Sequence, residues 1–161
     1  MLGNWYRILY AHMASTSTSL VHTSGNSWGV IYFGDNWKFK AEANEDAIGI
    51  VIGTGVAAVT IDDYKLEDQI MQGTGPGQMR HLASTPGWPS VAGSNCDFLT
   101  SRTFLNNSGG SITVRESGIY CRVKGTTYYG YACIVRDVLA TPLDVPDGGS
   151  ITIDYTLRIT A

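Results

Sequence analysis

The C-terminal segment from Gly149 to Ala161, "GSITIDYTLRITA", alternates without a break between apolar and polar side chains. The apolar positions of this alternation are Ile151, Ile153, Tyr155, Leu157 and Ile159. Because successive side chains of a strand point to opposite faces, the segment is predicted to be a strand with one dry and one wet face. Such strands are typical of antiparallel sheets. We expect the strand to lie between other strands, since a bare edge of this length would favour aggregation.

Most of the chain from Ser27 onward shows the same β character. Short aromatic or β-branched runs are separated by Gly, Asn, Asp and Pro, which favour turns. The predicted strands include Trp28–Phe33, Trp37–Ala41, Ala47–Ile52, Gln78–Ala83 and Asp97–Leu105, followed by "SITVRE", "GIYCRV" and "YYGYACIVRDV". One exception is Asp62–Gln69, where Thr60 as a cap and acids in the first turn predict a short helix. The fold class is therefore predicted as mainly β, an antiparallel β-sandwich of Ig-like or jelly-roll-like type.

The N-terminal segment Asn4–Met13 has the spacing of an amphipathic helix. Trp5, Ile8, Leu9 and His12 follow the i, i+3, i+4, i+7 pattern, and Asn4 is a plausible N-cap. Such a helix packs either on its own sheet or on a neighbouring subunit. Residues 1–14 are accordingly predicted to form an assembly arm, and residues 15–161 a single β-sandwich domain. The predicted partner-binding residues of the arm are Trp5, Ile8, Leu9 and Met13.

Composition excludes several classes of function. The chain has 161 residues, a net charge of −3 and a pI near 5.5, so it has no electrostatic footprint for nucleic acid or an anionic membrane. No apolar run approaches the roughly 20 residues that cross a bilayer, and no signal peptide is expected. The histidines at positions 12, 22 and 81 lack the close spacing of a metal site, and no nucleophile motif is present. We therefore expect no metal, no cofactor and no enzymatic activity.

The cysteines Cys96, Cys121 and Cys133 cannot all pair within one chain. A hairpin that pairs Val123 with Tyr128 places Cys121 opposite Gly130, three residues short of Cys133. Since a disulfide needs Cα atoms within about 7 Å, the register disfavours a Cys121–Cys133 bond. The cysteines are predicted to be free, buried thiols.

Trp88 lies in the proline-rich loop "STPGWPS", where it is either a plug on the rim of the fold or an exposed contact residue. Other aromatic residues are expected to fill the core and its ends. The alternative is a face for stacking on sugar rings, formed by Trp28, Trp37, Trp88, Tyr128, Tyr129 and Tyr131. A carbohydrate-binding module is therefore the second hypothesis for function.

Two stretches resemble segments of accessory structural proteins in the virions of tailed bacteriophages. The first is "VIGTGVAAVTIDDYKLEDQI" (Val51–Ile70), with a G-T-G strand end before T-x-x-D-Y-x-L. The second comprises "RTFLNNSGGSITVRESGIY" and "CIVRDVLATPLDVPDGGSITIDYTLRIT", similar to the β-sandwich ending of those proteins. In this ending Glu116, Gly118 and Tyr120 match E-x-G-I/L-Y, while Arg136 and Asp137 match R-D. The opening N-W-Y helix is also similar to their N-termini.

The resemblance implies a non-enzymatic virion component made in the cytoplasm of a bacterial host. It is expected on the tail or head–tail junction, or next as a capsid decoration. Its implied partners are copies of itself and other virion proteins, with a host surface glycan as a further candidate. The matching residues are expected to be structural: Arg136 pairs with an acid such as Glu116 across strands, and Gly118 permits a bulge or bend.

Overall fold

A computed structural model describes residues 18–30, 38–124 and 129–160, which are mainly β and contain no helix. Their strands are β1 Thr18–Val21, β2 Ser27–Val30, β3 Gly49–Gly53, β4 Arg80–His81, β5 Thr85–Pro86, β6 Ser90–Ala92, β7 Asn95–Leu105, β8 Ile112–Lys124, β9 Tyr129–Val145 and β10 Ser150–Thr160. The predicted N-terminal helix, with Trp5, Ile8, Leu9 and Met13, lies outside the described residues. No helix within these ranges could span a bilayer.

The strands pair antiparallel in three sheets. β1 pairs with β2, and β3, β8 and β9 form the second sheet in that order, here called the β8 sheet. In the third, the β7 sheet, β10 pairs with one edge of β7, and the short β4, β5 and β6 pair with its other edge. The predicted antiparallel β character is therefore confirmed.

The main hydrophobic core contains side chains of both larger sheets. Ile50, Ile52, Ile119 and Ile134 of the β8 sheet belong to the same buried cluster as Phe104 of β7. Ile151, Ile153, Tyr155 and Leu157 of β10 are partly buried and pack against this cluster, as the alternation predicts. Ile159 is the exception, with 73% of its surface exposed. It pairs with Cys96 near the start of β7, beyond the last β10 side chain that contacts the core.

The expectation that β10 lies between other strands is wrong. Among the described residues β10 pairs only with β7 and so forms an edge. The turn after β9 is attached to Asn106, which follows β7: the N–H of Asn106 donates to the carbonyl of Gly149, and the N–H of Gly148 donates to the carbonyl of Asn106. These bonds hold the turn in which the chain passes from β9, at the edge of the β8 sheet, to β10, at the edge of the β7 sheet.

The face of the β8 sheet away from the main core is covered by the segment 54–69. This segment leaves the end of β3 and returns beside it, where the Ile70 N–H donates to the Ile52 carbonyl over 2.9 Å. Leu66 of the segment packs with Val51, Tyr120 and Cys133 in a second buried cluster. The sheet is therefore buried on both faces here.

The predicted helix Asp62–Gln69 is wrong. Asp63 instead closes a turn with Thr60, whose N–H and hydroxyl both donate to the Asp63 carboxylate. The N–H groups of Leu66, Glu67 and Asp68 donate to side chains of β8 rather than to carbonyls four residues earlier. Side chains distant in sequence thus replace the hydrogen bonds that a helix would need.

The hairpin of β8 and β9 has a register that differs from the prediction by two residues. Cys121 pairs with Ala132, and Tyr120 with Cys133. Cys121 and Cys133 therefore point to opposite faces, one into the main core and the other into the second cluster. All of the cysteines are free, as predicted. The reason differs from the predicted one: Cys121 and Cys133 do not bond because their side chains lie on opposite faces of the sheet, not because of the predicted register. Burial raises the pKa of Cys121 to about 12 and that of Cys133 still further.

We expect all three cysteines to be alkylated when the chain is denatured without a reductant. In the native protein, the buried thiols should react far more slowly than the half-buried Cys96, because the thiolate is the reactive form. Mass spectrometry of tryptic peptides measures both. Recovery of a Cys121–Cys133 crosslinked peptide would contradict the packing of these residues on opposite faces.

Ile153 and Thr152 offer a matched test of the two faces of β10. Ile153 is half-buried against the core, so Ile153→Ala should lower the free energy of unfolding by about 1–2 kcal/mol. Thr152 is exposed and bonds only to the Thr103 hydroxyl, so Thr152→Ala should change it by no more than about 0.5 kcal/mol. Chemical denaturation of both variants measures the difference. Equal losses would mean that the polar face is covered as well.

Candidate functional site

The side chain of Glu116 in β8 is fully buried and accepts four hydrogen bonds. Its carboxylate accepts from the backbone N–H groups of Gly55 (3.2 Å), Glu67 (3.1 Å) and Asp68 (2.8 Å), and from Nε of Arg136 (2.9 Å). A buried carboxylate is stable only when it is paired and hydrogen-bonded in this way. Glu116 therefore attaches the segment 54–69 to the β8 sheet.

Arg136 in β9 is the counter-charge and is almost fully buried. Besides Glu116, its guanidinium donates to Asp63 Oδ2 at 2.8 Å and to the Ala57 carbonyl at 3.0 Å, and lies 4.0 Å from Glu67. Burial alone would lower the pKa of Arg136, but the bonds to Asp63 and Glu116 outweigh it and raise that pKa. The predicted ion pair of Glu116 and Arg136 is confirmed. We call Asp63, Glu67, Glu116, Tyr120 and Arg136 the Glu116–Arg136 cluster.

Gly118 lies opposite Arg136 in the strand register and allows a close approach rather than a bulge. A Cβ atom at Gly118 would lie 2.5 Å from the Val135 carbonyl oxygen and 3.1 Å from Leu66 Cδ2. The register shifts of this hairpin lie on either side, between Val114 and Glu116 and between Ile119 and Tyr120. Of the expected bulge or bend, a bulge at Gly118 itself is therefore wrong. The glycine is needed chiefly because the Val135 carbonyl of β9 lies so close, and Leu66 of the segment 54–69 packs against the same position.

The G-T-G strand end has an equally direct reason. A Cβ atom at Gly53 or at Gly55 would lie 2.5 Å from Oε1 of Glu116. Real Cβ atoms do not come this close to an oxygen, so larger residues would displace the carboxylate. The missing side chains leave room for the carboxylate beside both glycines, and the Gly55 N–H donates to it.

Tyr120 joins the cluster through its hydroxyl, which accepts from the Leu66 N–H at 2.7 Å. Burial raises the pKa of Tyr120, so the phenol stays neutral. Asp137 does not join the cluster, since it follows Arg136 and points to the other face. On that face its register partner Ser117 bonds to the hydroxyl of Tyr155 of β10 at 2.7 Å. Asp137 itself is exposed and lies outside the cluster.

The cluster borders a cavity of about 330 Å³ whose walls include Thr60, Asp62, Lys65 and Arg136. The polar atoms of Glu116 and Arg136 are committed to bonds within the chain. In the described ranges, no three His, Cys, Asp or Glu side chains lie together as metal ligands. These bonds hold the segment 54–69 in place on the β8 sheet.

Sequence reasoning missed a second buried cation, Arg102 of β7, which is 1% exposed. Its guanidinium donates to backbone carbonyls only, those of Glu42, Glu45, Ile48, Ile50 and Leu82. Burial lowers its pKa to about 10. The signal was in the sequence, because Arg102 shares the inward parity of Phe104 in β7.

His81 of β4 was also missed. Its side chain is fully buried, and its ring meets Phe104 edge-on with 4.9 Å between centroids. Neither ring nitrogen has a hydrogen-bond partner among the residues that the structure describes. Burial, helped by the charge of Arg102, lowers the pKa of His81 to about 4. The histidine is therefore neutral in the folded protein.

Trp88, between β5 and β6, is 93% exposed, so it is a surface residue and not a plug. Val91 nearby is 75% exposed. Contiguous exposed apolar patches on soluble proteins often mark contact surfaces, whereas single exposed apolar side chains are common. No family profile, curated protein or solved structure matches the chain.

Proposed function

We propose that the chain is a non-enzymatic structural protein of a tailed-bacteriophage virion that assembles with copies of itself and with other virion proteins. A tail or head–tail accessory component fits best, and a capsid decoration protein next. The observation that carries the proposal is the Glu116–Arg136 cluster. It unites the two stretches whose sequences resemble such proteins.

The convergence supports the resemblance because the motif residues are far apart in sequence. Asp63 of T-x-x-D-Y-x-L bonds to Arg136 of R-D, and the glycines of G-T-G pack against Glu116 of E-x-G-I/L-Y. Chance matches to short motifs have no reason to meet in one buried ion-pair network. The residues act as a scaffold that fixes the segment 54–69 on the β8 sheet.

We assign the finer fold class as an antiparallel β-sandwich, Ig-like or jelly-roll-like. The inner faces of the β8 and β7 sheets share one hydrophobic cluster, as two packed sheets do. Tyr155 of β10 reaches Ser117 of β8 between them. Sandwich folds of this kind serve as rigid modules, which suits a particle component.

The state of the cysteines supports synthesis in the bacterial cytoplasm. All of them are free, and two are buried with raised pKa values. Free thiols are the usual state in a reducing compartment.

Copurification with particles tests the proposal. Virions from a phage that encodes the chain should retain it through density-gradient centrifugation at a fixed ratio to the major capsid protein, as measured by quantitative mass spectrometry. A phage enzyme expressed at similar level serves as control and should separate from the particles. Loss of the chain from gradient-purified particles would overturn the proposal.

A carbohydrate-binding module remains the second candidate because of Trp88. An indole that is 93% exposed on a loop can stack on a sugar ring, as it would in receptor binding. The purified chain should then bind glycans of the host surface on an array, and Trp88→Ala should abolish binding without changing the unfolding transition. Trp88→Phe is the matched control and should retain part of the binding. Absence of glycan binding by the wild-type chain would remove this candidate.

A further inference from the structure

β10 presents a long, regular strand edge. It spans 11 residues, contains no proline and pairs with β7 over its whole length without a register shift. Among the described residues no strand pairs with its other edge. Unprotected edges of this kind are templates for pairing with another strand. We propose that β10 pairs antiparallel with β10 of a second copy of the chain, about a two-fold axis at Thr156.

The position of the axis follows from the side-chain pattern. Opposed residues of an antiparallel pair lie on the same face, so a two-fold axis must pass through a residue to match apolar with apolar side chains. An axis at Thr156 places Asp154 opposite Arg158 of the partner subunit, twice by symmetry. An axis at Asp154 would place the two Asp154 carboxylates of the pair opposite each other. An axis at Tyr155 or Leu157 would place Arg158 opposite a threonine of the partner subunit, without a counter-charge. Charge complementarity therefore selects Thr156.

The same axis resolves the exposure of Ile159. On the inner face, Ile153 comes opposite Ile159 of the partner subunit, and Tyr155 opposite the partner's Leu157. Ile159 is 73% exposed in the single chain, whereas Ile153 and Leu157 pack against the core. Pairing would extend the apolar inner face across the axis and cover Ile159.

Arg158 keeps one donor group for this contact, because its bonds within the chain use Nε and Nη2 but not Nη1. On the outer face it makes a two-pronged ion pair with Asp97 of β7, with both distances 2.7 Å. In the pair of chains the guanidinium would lie between Asp97 and the partner's Asp154. This inference deepens the proposed self-assembly, and it would hold for a free dimer as well as for a copy in a particle.

Disulfide cross-linking tests the register. In a Cys96→Ser background, Thr156→Cys places two thiols directly opposite each other, with Cα atoms about 5 Å apart, which suits a disulfide. Mild oxidation of the full chain should convert it to a covalent dimer. Thr152→Cys is the matched control: it faces position 160 of the partner, and its own copy lies about 27 Å away. It should remain monomeric on a non-reducing gel.

Charge exchange tests the pairing without cysteines. Asp154→Arg alone opposes Arg158 and should be monomeric in analytical ultracentrifugation, as should Asp97→Asn combined with Arg158→Glu. A mixture of these two variants restores opposite charges at both positions and should give a heterodimer of twice the monomer mass. Asp62→Arg, an exposed acid away from β10, changes the charge equally and should behave as wild type.

Several outcomes would overturn the pairing. They are a wild-type chain that stays monomeric, equal cross-linking at positions 152 and 156, or a dimer that Asp154→Arg does not weaken. Dimerisation only after removal of residues 1–17 would also overturn it, since those residues would then cover the edge. A monomeric chain that still copurifies with virions would remove the pairing alone and leave the proposed virion role in place.

Discussion

Glu116→Ala should lower the free energy of unfolding by about 3–5 kcal/mol, the range for breaking a buried ion pair by removing one partner. The substitution leaves Arg136 without its buried carboxylate and removes the acceptor for the N–H groups of Gly55, Glu67 and Asp68. Such a loss is a large share of the 5–15 kcal/mol, roughly, that stabilises a typical domain. Urea denaturation followed by tryptophan fluorescence measures it.

A double-mutant cycle identifies the cause. Glu116→Ala, Arg136→Ala and the double variant should show coupling, so that the double variant loses clearly less than the sum of the single losses. The exposed pair of Arg158 and Asp97 has equally short bonds and is the control; Asp97→Ala should leave the unfolding transition nearly unchanged, because solvent screens exposed charges. Additive losses at Glu116 and Arg136 would contradict the role given to the cluster.

Local periodicity accounts for the parts of the fold that could be predicted. The alternation in β10 correctly predicted that Ile151, Ile153, Tyr155 and Leu157 pack on the core, and it failed only for the exposed Ile159. The pairing of Arg136 with Glu116 also follows from their position on adjacent strands. Each of these inferences needs only the direction of a side chain relative to its own strand or hairpin.

The failures share a different physical cause, namely bonds between segments distant in sequence. The segment 62–69 has the composition of a helix start, but Glu116 and Tyr120 of β8 accept the hydrogen bonds of its backbone. Parity alone places Arg102 on the inward face of β7, but the carbonyls of the segment 42–50 that accept its hydrogen bonds are distant in sequence. The edge position of β10 depends on the turn bound to Asn106, and no periodic pattern encodes it. The N-terminal helix stays a prediction.

His81 should make the protein acid-labile. The unfolded histidine has a pKa of about 6.5 and the folded one about 4, so between these values the unfolded chain binds more protons and stability rises with pH. The stability is therefore intact above about pH 6.5 and is lost progressively as the pH falls towards 4. Moving from about pH 7.5 to about 4.5 should lower the free energy of unfolding by about 2–3 kcal/mol through this residue.

Replacement of the ring isolates this contribution. His81→Leu keeps the fully buried site apolar against Phe104 and cannot take up a proton, so the loss between the two pH values should shrink by about 2–3 kcal/mol. Carboxylates whose pKa is lowered by folding, such as Asp63, also stabilise the folded protein. Their stabilisation is complete above the unfolded pKa and is lost as the pH falls below it, so it changes at lower pH than the stabilisation through His81. The half-buried His22 is the control, and His22→Gln should retain most of the pH dependence. If His81→Leu and wild type lost equal stability on acidification, the buried ring would not be the neutral, unpartnered group that its packing on Phe104 and its proximity to Arg102 require.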